Sequence, residues 1–183
     1  MPRVLELHDA CIRNLIDTHG GYEVKTEGDA FMITFSSAKS GVDFACALQQ
    51  ELLAVDWPQE LLAFHSCAER WVKSTDAVLW RGPRIRVGLH TGMALRKDFQ
   101  VVGLYGIQSW RLDFFGHDVN LAARVSALAQ GGQTLLSQAC KVSYDREVSA
   151  SSQRLPGKFV HCGAQELKGI GPPVDLWELQ STK

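Results

Sequence analysis

One short segment, GGYEVKTEGDAFMITF from Gly20 to Phe35, constrains the fold more than any other part of the chain. Apolar and polar residues alternate on either side of a Gly28-Asp29 turn, and this pattern is typical of a β-hairpin with one buried face. Charged side chains nevertheless stand beside the turn, at Lys25, Glu27 and Asp29. A half-buried hairpin has no packing reason to carry them, so they indicate a functional role.

The segments that flank the hairpin have helical periodicity. Between residues 4 and 18 the apolar positions follow helical spacing, and Gly20-Gly21 supplies a stop. On the other side Ser36-Ser37 can cap a second helix, whose apolar face runs from 42 to 52 and ends before Trp57-Pro58. The sequence therefore predicts a helix, a hairpin and a second helix in succession.

The next part of the chain, residues 56 to 83, lacks a clear period. We interpret it as an inserted, partly helical excursion. It carries Trp57, Trp71 and Trp80, which we expect to serve packing or an interface rather than to form a ligand cage.

Regular patterns return at PRIRVGLHTGMAL, where alternation predicts a strand with Arg86 directed away from the core. A loop with Gly103 and Gly106 follows. Gly116 then precedes a helix that Gly131-Gly132 ends. Short strands are predicted at 134 to 136, 158 to 162 and 174 to 177. This alternation of helices and strands indicates an α/β or α+β sandwich.

Composition excludes several classes of protein. The 183 residues suffice for one domain with a substantial core. An apolar share of 45%, a charged share of 21% and a net charge of -1 argue against disorder, a membrane span and a broad nucleic-acid surface. The five cysteines form no C-x-x-C pair and are expected to be free thiols in a reducing compartment. The first residues do not resemble a signal peptide, so any membrane anchor would lie outside this chain.

Four motifs in order, VKTEGDAF, IRVGLHTG, DFFGHDVNLAARV and LKG, resemble the class III nucleotidyl cyclase catalytic domain. The hairpin motif and the 56 to 83 insertion are most similar to the receptor-type adenylate cyclases of trypanosomatid parasites. The resemblance implies an α+β, ferredoxin-like fold, in which helices pack on a sheet that contains antiparallel strands. It covers residues 1–183 as a single catalytic domain, which would be the cytoplasmic part of a membrane-anchored receptor-type protein.

The resemblance implies that Lys25 and Asp113 bind the substrate base. A lysine ammonium only donates hydrogen bonds and an ionised aspartate only accepts them. Adenine offers an acceptor at N1 and a donor at its 6-amino group, so this pair favours ATP over GTP.

The remaining site residues are also assigned by the resemblance. Asp29 matches a metal-binding aspartate for Mg²⁺ or Mn²⁺, and two ions would assist attack of the ribose 3'-hydroxyl on the α-phosphate. Asn120 and Arg124 match the catalytic residues that orient the ribose and stabilise charge at the α-phosphate. Arg86 and Lys168 match positions that hold the β- and γ-phosphates.

One departure from the family pattern concerns its first strand. That strand normally carries the second metal-binding aspartate, and the chain lacks a match to it. We expect another segment or chain, or an upstream extension, to fill its place. With one metal carboxylate, turnover by this chain should be low.

The sequence also leads to expectations about the oligomeric state and about alternative functions. The resemblance implies a homodimer with ATP sites at the interface, since each subunit carries residues of both half-sites. An alternative is a non-catalytic, cyclase-like module that dimerises or binds nucleotide. A diguanylate cyclase is suggested only by GGYE, and the acidic signature of that family is missing.

Overall fold

The computed structural model describes residues 2–72, 77–102, 108–149 and 157–181. Its first half confirms the predicted helix, hairpin and helix. These elements are α1 Pro2–Thr18, β1 Tyr22–Glu27, β2 Ala30–Thr34 and α2 Ala38–Ala54. Ser37 caps α2 as expected, because its side chain accepts a hydrogen bond from the Ser40 amide.

The 56 to 83 segment contains more strand than predicted. It consists of α3 Gln59–Leu62, β3 Arg70–Val72 and β4 Ala77–Trp80, and the two strands pair antiparallel. Its ends meet at one point, the neck, formed by Trp57 and Gly82. The Trp57 side chain is buried and donates its indole hydrogen bond to the Leu52 carbonyl at 2.9 Å. A Cβ added at Gly82 would come within 2.3 Å of the Trp57 ring. The last residues of the segment therefore lie directly against its first residues.

The second half contains the predicted strands and helix together with three elements that were not predicted. Its elements are β5 Val87–Leu89, β6 Leu95–Val102, β7 Gln108–Phe115, α4 His117–Leu128, β8 Thr134–Ser137, α5 Gln138–Ser149, β9 Gly157–Gln165 and β10 Val174–Ser181. The long β6–β7 hairpin and the helix α5 are additions to the predicted elements. The predicted loop glycines, Gly103 and Gly106, lie outside the described residues.

The described strands form four sheets. The largest has the order β5-β8-β10-β9, with β5 parallel to β8 and the other pairs antiparallel. β1 and β2 form a hairpin of their own, as do β3 with β4 and β6 with β7. One mixed sheet with helices packed on it, together with three antiparallel hairpins, gives the α+β fold that the sequence predicted.

Helices α1 and α2 build the core that supports the first hairpin. Ile12, Leu15 and Ile16 of α1 pack with Phe44 and Leu48 of α2. The partly buried apolar side chains of β2 pack against the same cluster. A second cluster joins α2 to α5 and the sheet, and a third joins α4 to β8 and β10. The β1–β2 hairpin is thus held on the helices by apolar packing.

In the part of the chain that the structure describes, every helix falls short of the length and apolar character that crossing a bilayer would require.

Candidate functional site

Lys25 and Asp113, predicted from distant motifs, lie together in the structure. Lys25 is on β1, Asp113 is on β7, and the lysine Nζ is 3.6 Å from the aspartate Oδ2. Their side chains keep 43% and 25% of their surface exposed, so a ligand can reach both. A donor-only and an acceptor-only group thus stand side by side, where both remain accessible.

Two further contacts hold this pair in place. The Tyr22 hydroxyl of β1 accepts a hydrogen bond from the Leu112 amide at 3.0 Å, one residue before Asp113. The Lys25 ammonium lies over the Phe115 ring, 5.9 Å from its centroid. The sequence had not singled out Tyr22 for a role beyond the alternating strand pattern, and its link to β7 depends on the tertiary fold.

Asp29 lies at the exposed tip of the first hairpin, beside Gly28 with its positive φ of 65°. Across the described ranges, no three histidine, cysteine or acidic side chains come together in a way that could hold a metal ion. Mg²⁺ often takes one or two protein carboxylates together with substrate phosphates. A single exposed carboxylate therefore fits an ion that arrives with a nucleotide, and does not fit an ion held by these residues alone.

The other predicted residues for phosphate and ribose binding are all exposed. Arg86 directly precedes β5, and its exposure agrees with the predicted outward orientation. Lys168 stands in the turn that the Ile170 amide closes onto the Leu167 carbonyl. Within the described residues, neither Arg86 nor Lys168 forms an ion pair, which leaves both cations available to an anionic ligand.

Asn120 and Arg124 share the exposed face of α4, as their spacing of four residues predicted. Gly116 stands at the N-cap with a φ of 119°, a value that side chains rarely adopt, and no side chain caps the helix there. The first turn of α4 is therefore held by something other than an N-cap side chain.

The carboxylate of Asp118 provides that attachment. Its Oδ2 accepts a hydrogen bond from the Met93 amide at 2.6 Å. Its Oδ1 lies 3.4 Å from His90 Nε2 and 3.3 Å from His117 Nδ1. His90 in turn contacts the Ser137 hydroxyl through Nδ1 at 2.7 Å.

The protonation states of this group follow from burial and from its polar contacts. Burial lowers the pKa of His90 and outweighs the attraction of Asp118, so the imidazole is neutral near pH 7. Burial opposes ionisation of Asp118, but His117, the Met93 amide and His90 together lower its pKa. We assign the neutral tautomer with the proton on Nε2, because the Ser137 hydroxyl then donates to Nδ1.

Sequence reasoning missed His90 and Asp118. The acidic residue in the first turn of a helix was visible, and such residues complement the helix dipole. Its partner in the loop after β5 could be found only from the structure.

Comparison with known proteins gives the following similarities. Residues 1–171 match the family model described as the adenylate and guanylate cyclase catalytic domain. The chain is 33% identical over 199 aligned positions to receptor-type adenylate cyclase B of Leishmania donovani, covering 99% of this chain and 14% of that protein. It is 39% identical over 137 positions to the adenylate cyclase of Neurospora crassa, covering 75% of this chain and 6% of that protein.

A solved structure from work on the adenylate cyclases of Trypanosoma brucei in their monomeric state is also similar. It superposes with a TM-score of 0.80 at 28% identity, and the match covers 99% of this chain and 79% of that one. The chain therefore shares its fold with that structure over nearly its whole length, while it spans only a small part of the curated relatives.

Proposed function

The chain belongs to the adenylate and guanylate cyclase catalytic domain family, and from this premise we propose that it converts ATP into 3',5'-cyclic AMP and pyrophosphate. In this reaction the ribose 3'-oxygen forms a bond to the α-phosphorus and its proton is released. The bond from the α-phosphorus to the oxygen bridging the β-phosphate breaks, and pyrophosphate leaves. Atoms and charge balance with no other reactant.

The observation that carries the proposal is the Lys25–Asp113 pair. The two side chains come from different elements and stand 3.6 Å apart, both within reach of a ligand. We propose that the lysine donates to adenine N1 and the aspartate accepts from the 6-amino group. Guanine presents an N1–H donor in place of the N1 acceptor, so the same pair would bind GTP less well.

We assign phosphate binding and stabilisation of the transition state to the exposed side chains of Arg86 and Lys168 and to two residues of α4. Asn120 would orient the ribose, and the always-charged guanidinium of Arg124 would stabilise the charge that develops at the α-phosphate. Arg86 and Lys168 would bind the β- and γ-phosphates. Their exposure, without ion-pair partners among the described residues, supports this assignment.

Asp29 would hold Mg²⁺ or Mn²⁺ together with the triphosphate, and the metal would supply positive charge to the phosphates. Because one carboxylate offers few ligands, we propose that binding is weak and turnover by this chain is low. A further carboxylate outside the described set would strengthen both.

We further propose that the active form is a homodimer with sites at its interface. Exposed large apolar side chains on the β6–β7 hairpin, including those of Leu95, Phe99 and Trp110, support self-association. The chain would be a single catalytic domain with an insertion at about 56–83, and the neck between Trp57 and Gly82 supports that boundary. Several relatives are receptor-type adenylate cyclases, and we propose that this chain is likewise the cytoplasmic part of a receptor-type protein.

The test is conversion of ATP and, separately, of GTP to cyclic nucleotide in the presence of Mg²⁺ or Mn²⁺. It should be run over a range of protein concentrations, because dimer formation makes specific activity rise with concentration. A version extended upstream should be assayed in parallel. Cyclic AMP formation with a clear preference for ATP supports the proposal. Nucleotide binding without turnover in either version would favour the non-catalytic module.

A further inference from the structure

Helix α4 contacts the chain around β5 at two points of very close approach. A Cβ added at Gly88 would lie 2.2 Å from the backbone nitrogen of Ser126. A Cβ added at Gly92 would lie 2.3 Å from the Asp118 carboxylate. At both points the glycine lets the backbone come closer than any side chain would allow.

The spacing of these two contacts determines how α4 lies against this segment. Asp118 and Ser126 are eight residues apart, which is about 12 Å along a helix. The four residues from Gly88 to Gly92 reach at most about 14 Å when fully extended. Because Gly88 meets Ser126 and Gly92 meets Asp118, the segment runs along α4 in the opposite direction. Asn120 and Arg124 fall between the two contacts.

The contact at Asp118 combines close packing with polar attachment. The Asp118 side chain is 29% exposed, and its Oδ2 accepts a hydrogen bond from the Met93 amide. Its Oδ1 lies 3.4 Å from His90 Nε2, which is too poorly aligned for a hydrogen bond, and 3.3 Å from His117 Nδ1. Gly116 offers no side-chain cap, and the Asp118 hydrogen bond ties the start of α4 to the segment that carries Met93.

His90 connects the attachment to the rest of the sheet. Its side chain is only 8% exposed, and Nδ1 contacts the Ser137 hydroxyl of β8. Ser137 is buried and its hydroxyl also accepts from the Cys140 amide at the start of α5. The loop that faces Asp118 is thus attached through Ser137 to the buried strand β8, at the start of α5.

We propose that Asp118 is a positioning residue for the cyclase reaction. By binding the Met93 amide and facing His90, it sets the position of α4 along β5, and so places Asn120 and Arg124 at the ribose and the α-phosphate. This inference rests on the proposed function for its kinetic consequence, whereas its structural consequence can be measured without any nucleotide.

The test compares Asp118→Ala with Asp118→Asn. The asparagine keeps an oxygen acceptor for the Met93 amide, whereas the alanine removes it. Asp43→Ala is the matched control, because the Asp43 side chain is similarly exposed at 27% and pairs with Lys39 within its own helix. The first readout is amide hydrogen exchange of residues 117 to 124 in the nucleotide-free chain. The second is kcat and KM for ATP.

We expect Asp118→Ala to speed exchange in the first turn of α4 and to lower kcat by about 100-fold with KM nearly unchanged, as misplacement of reacting groups by about 1 Å predicts. Asp118→Asn should restore most of both, and Asp43→Ala should match the unmodified chain. Equal exchange and equal kcat for Asp118→Ala and Asp43→Ala would overturn the inference, as would a rise in KM alone. If neither the unmodified chain nor its upstream-extended version makes cyclic nucleotide, the proposed function fails, and the exchange data still decide whether Asp118 holds α4.

Discussion

The close approach of Gly88 to α4 allows the attachment of this helix to be tested by a single methyl group. In Gly88→Ala, the new Cβ would meet the Ser126 backbone nitrogen at 2.2 Å and its Cα at 2.5 Å. Ordinary contacts of a Cβ begin at 3.4 Å, so strand and helix must separate by roughly 1.2 Å.

The loss in free energy of unfolding depends on which atoms the new methyl group would contact. Over-packing typically costs about 1–3 kcal/mol in free energy of unfolding. The opposing atoms at Gly88 are mostly helix backbone, which has no rotamer to move away, so we expect about 2–3 kcal/mol. For a chain of this size each kcal/mol lowers Tm by about 2–4 °C. Gly88→Ala should therefore melt about 4–12 °C below the unmodified protein.

Gly171→Ala is the matched control for this prediction. It makes the same chemical change where a Cβ would meet nothing within 4 Å and where φ is not positive. Thermal unfolding of both variants, followed by circular dichroism, gives the comparison. A Tm for Gly88→Ala within about 1 °C of the control would refute the packing argument.

The same substitution has a kinetic consequence under the proposed function. A displacement of α4 by about 1 Å would carry Asn120 and Arg124 with it, and such misplacement costs on the order of 100-fold in kcat. The assay is cyclic AMP formation at saturating ATP, at a temperature where both variants are folded. If Gly88→Ala loses stability as expected but keeps its kcat, then the position of α4 does not govern turnover.

Three further predictions concern other parts of the molecule. Lys25→Ala should lower kcat/KM for ATP by about 10- to 150-fold, which is the equivalent of one hydrogen bond to a charged group. It should lower kcat/KM for GTP by a smaller factor. Equal losses for ATP and GTP in parallel assays would contradict the assignment of Lys25 to the base. The folded-state pKa of His90 is below its ordinary value of 6.5, so the stability it contributes is present above about pH 6.5 and lost on acidification. The urea midpoint of His90→Gln should therefore fall less between pH 7 and pH 5 than that of the unmodified chain. An equal fall in the midpoints of both proteins would contradict this prediction. Trp57→Phe should cost about 1–3 kcal/mol, because the Leu52 carbonyl loses its donor; an unchanged urea midpoint would contradict it.

The elements that the sequence predicted best are those with one buried face. α1, α2 and the first hairpin each pack an apolar side on the same core, so burial imposes the period that the sequence displays. The β6–β7 hairpin was missed because both strands are largely exposed, and no buried face enforces alternation there. In β6 the consecutive charged residues Arg96, Lys97 and Asp98 interrupt the pattern further.

The candidate site was predictable to a different degree for each kind of residue. Lys25 and Asp113 were paired by motif resemblance, and the structure brings them together. The attachment of Asp118 to His90 and Met93 could not be predicted, because it depends on the distance between a loop and a helix that are remote in sequence. No local pattern of polar residues reports such a distance.

The neck of the 56 to 83 segment has a consequence for how much that segment can change in length. Trp57 packs on Gly82, and Arg81 donates to the Val55 carbonyl at 2.6 Å, so the segment departs and returns at one place. The entropic free-energy cost of closing a flexible loop rises only with the logarithm of its length, by about 0.6 kcal/mol for each doubling. Once the neck is closed, the domain core is therefore nearly insensitive to how much chain lies beyond it. Lengthening or shortening the 56 to 83 segment beyond the neck should therefore change the surface of the domain without disturbing the core that α1, α2 and the first hairpin share.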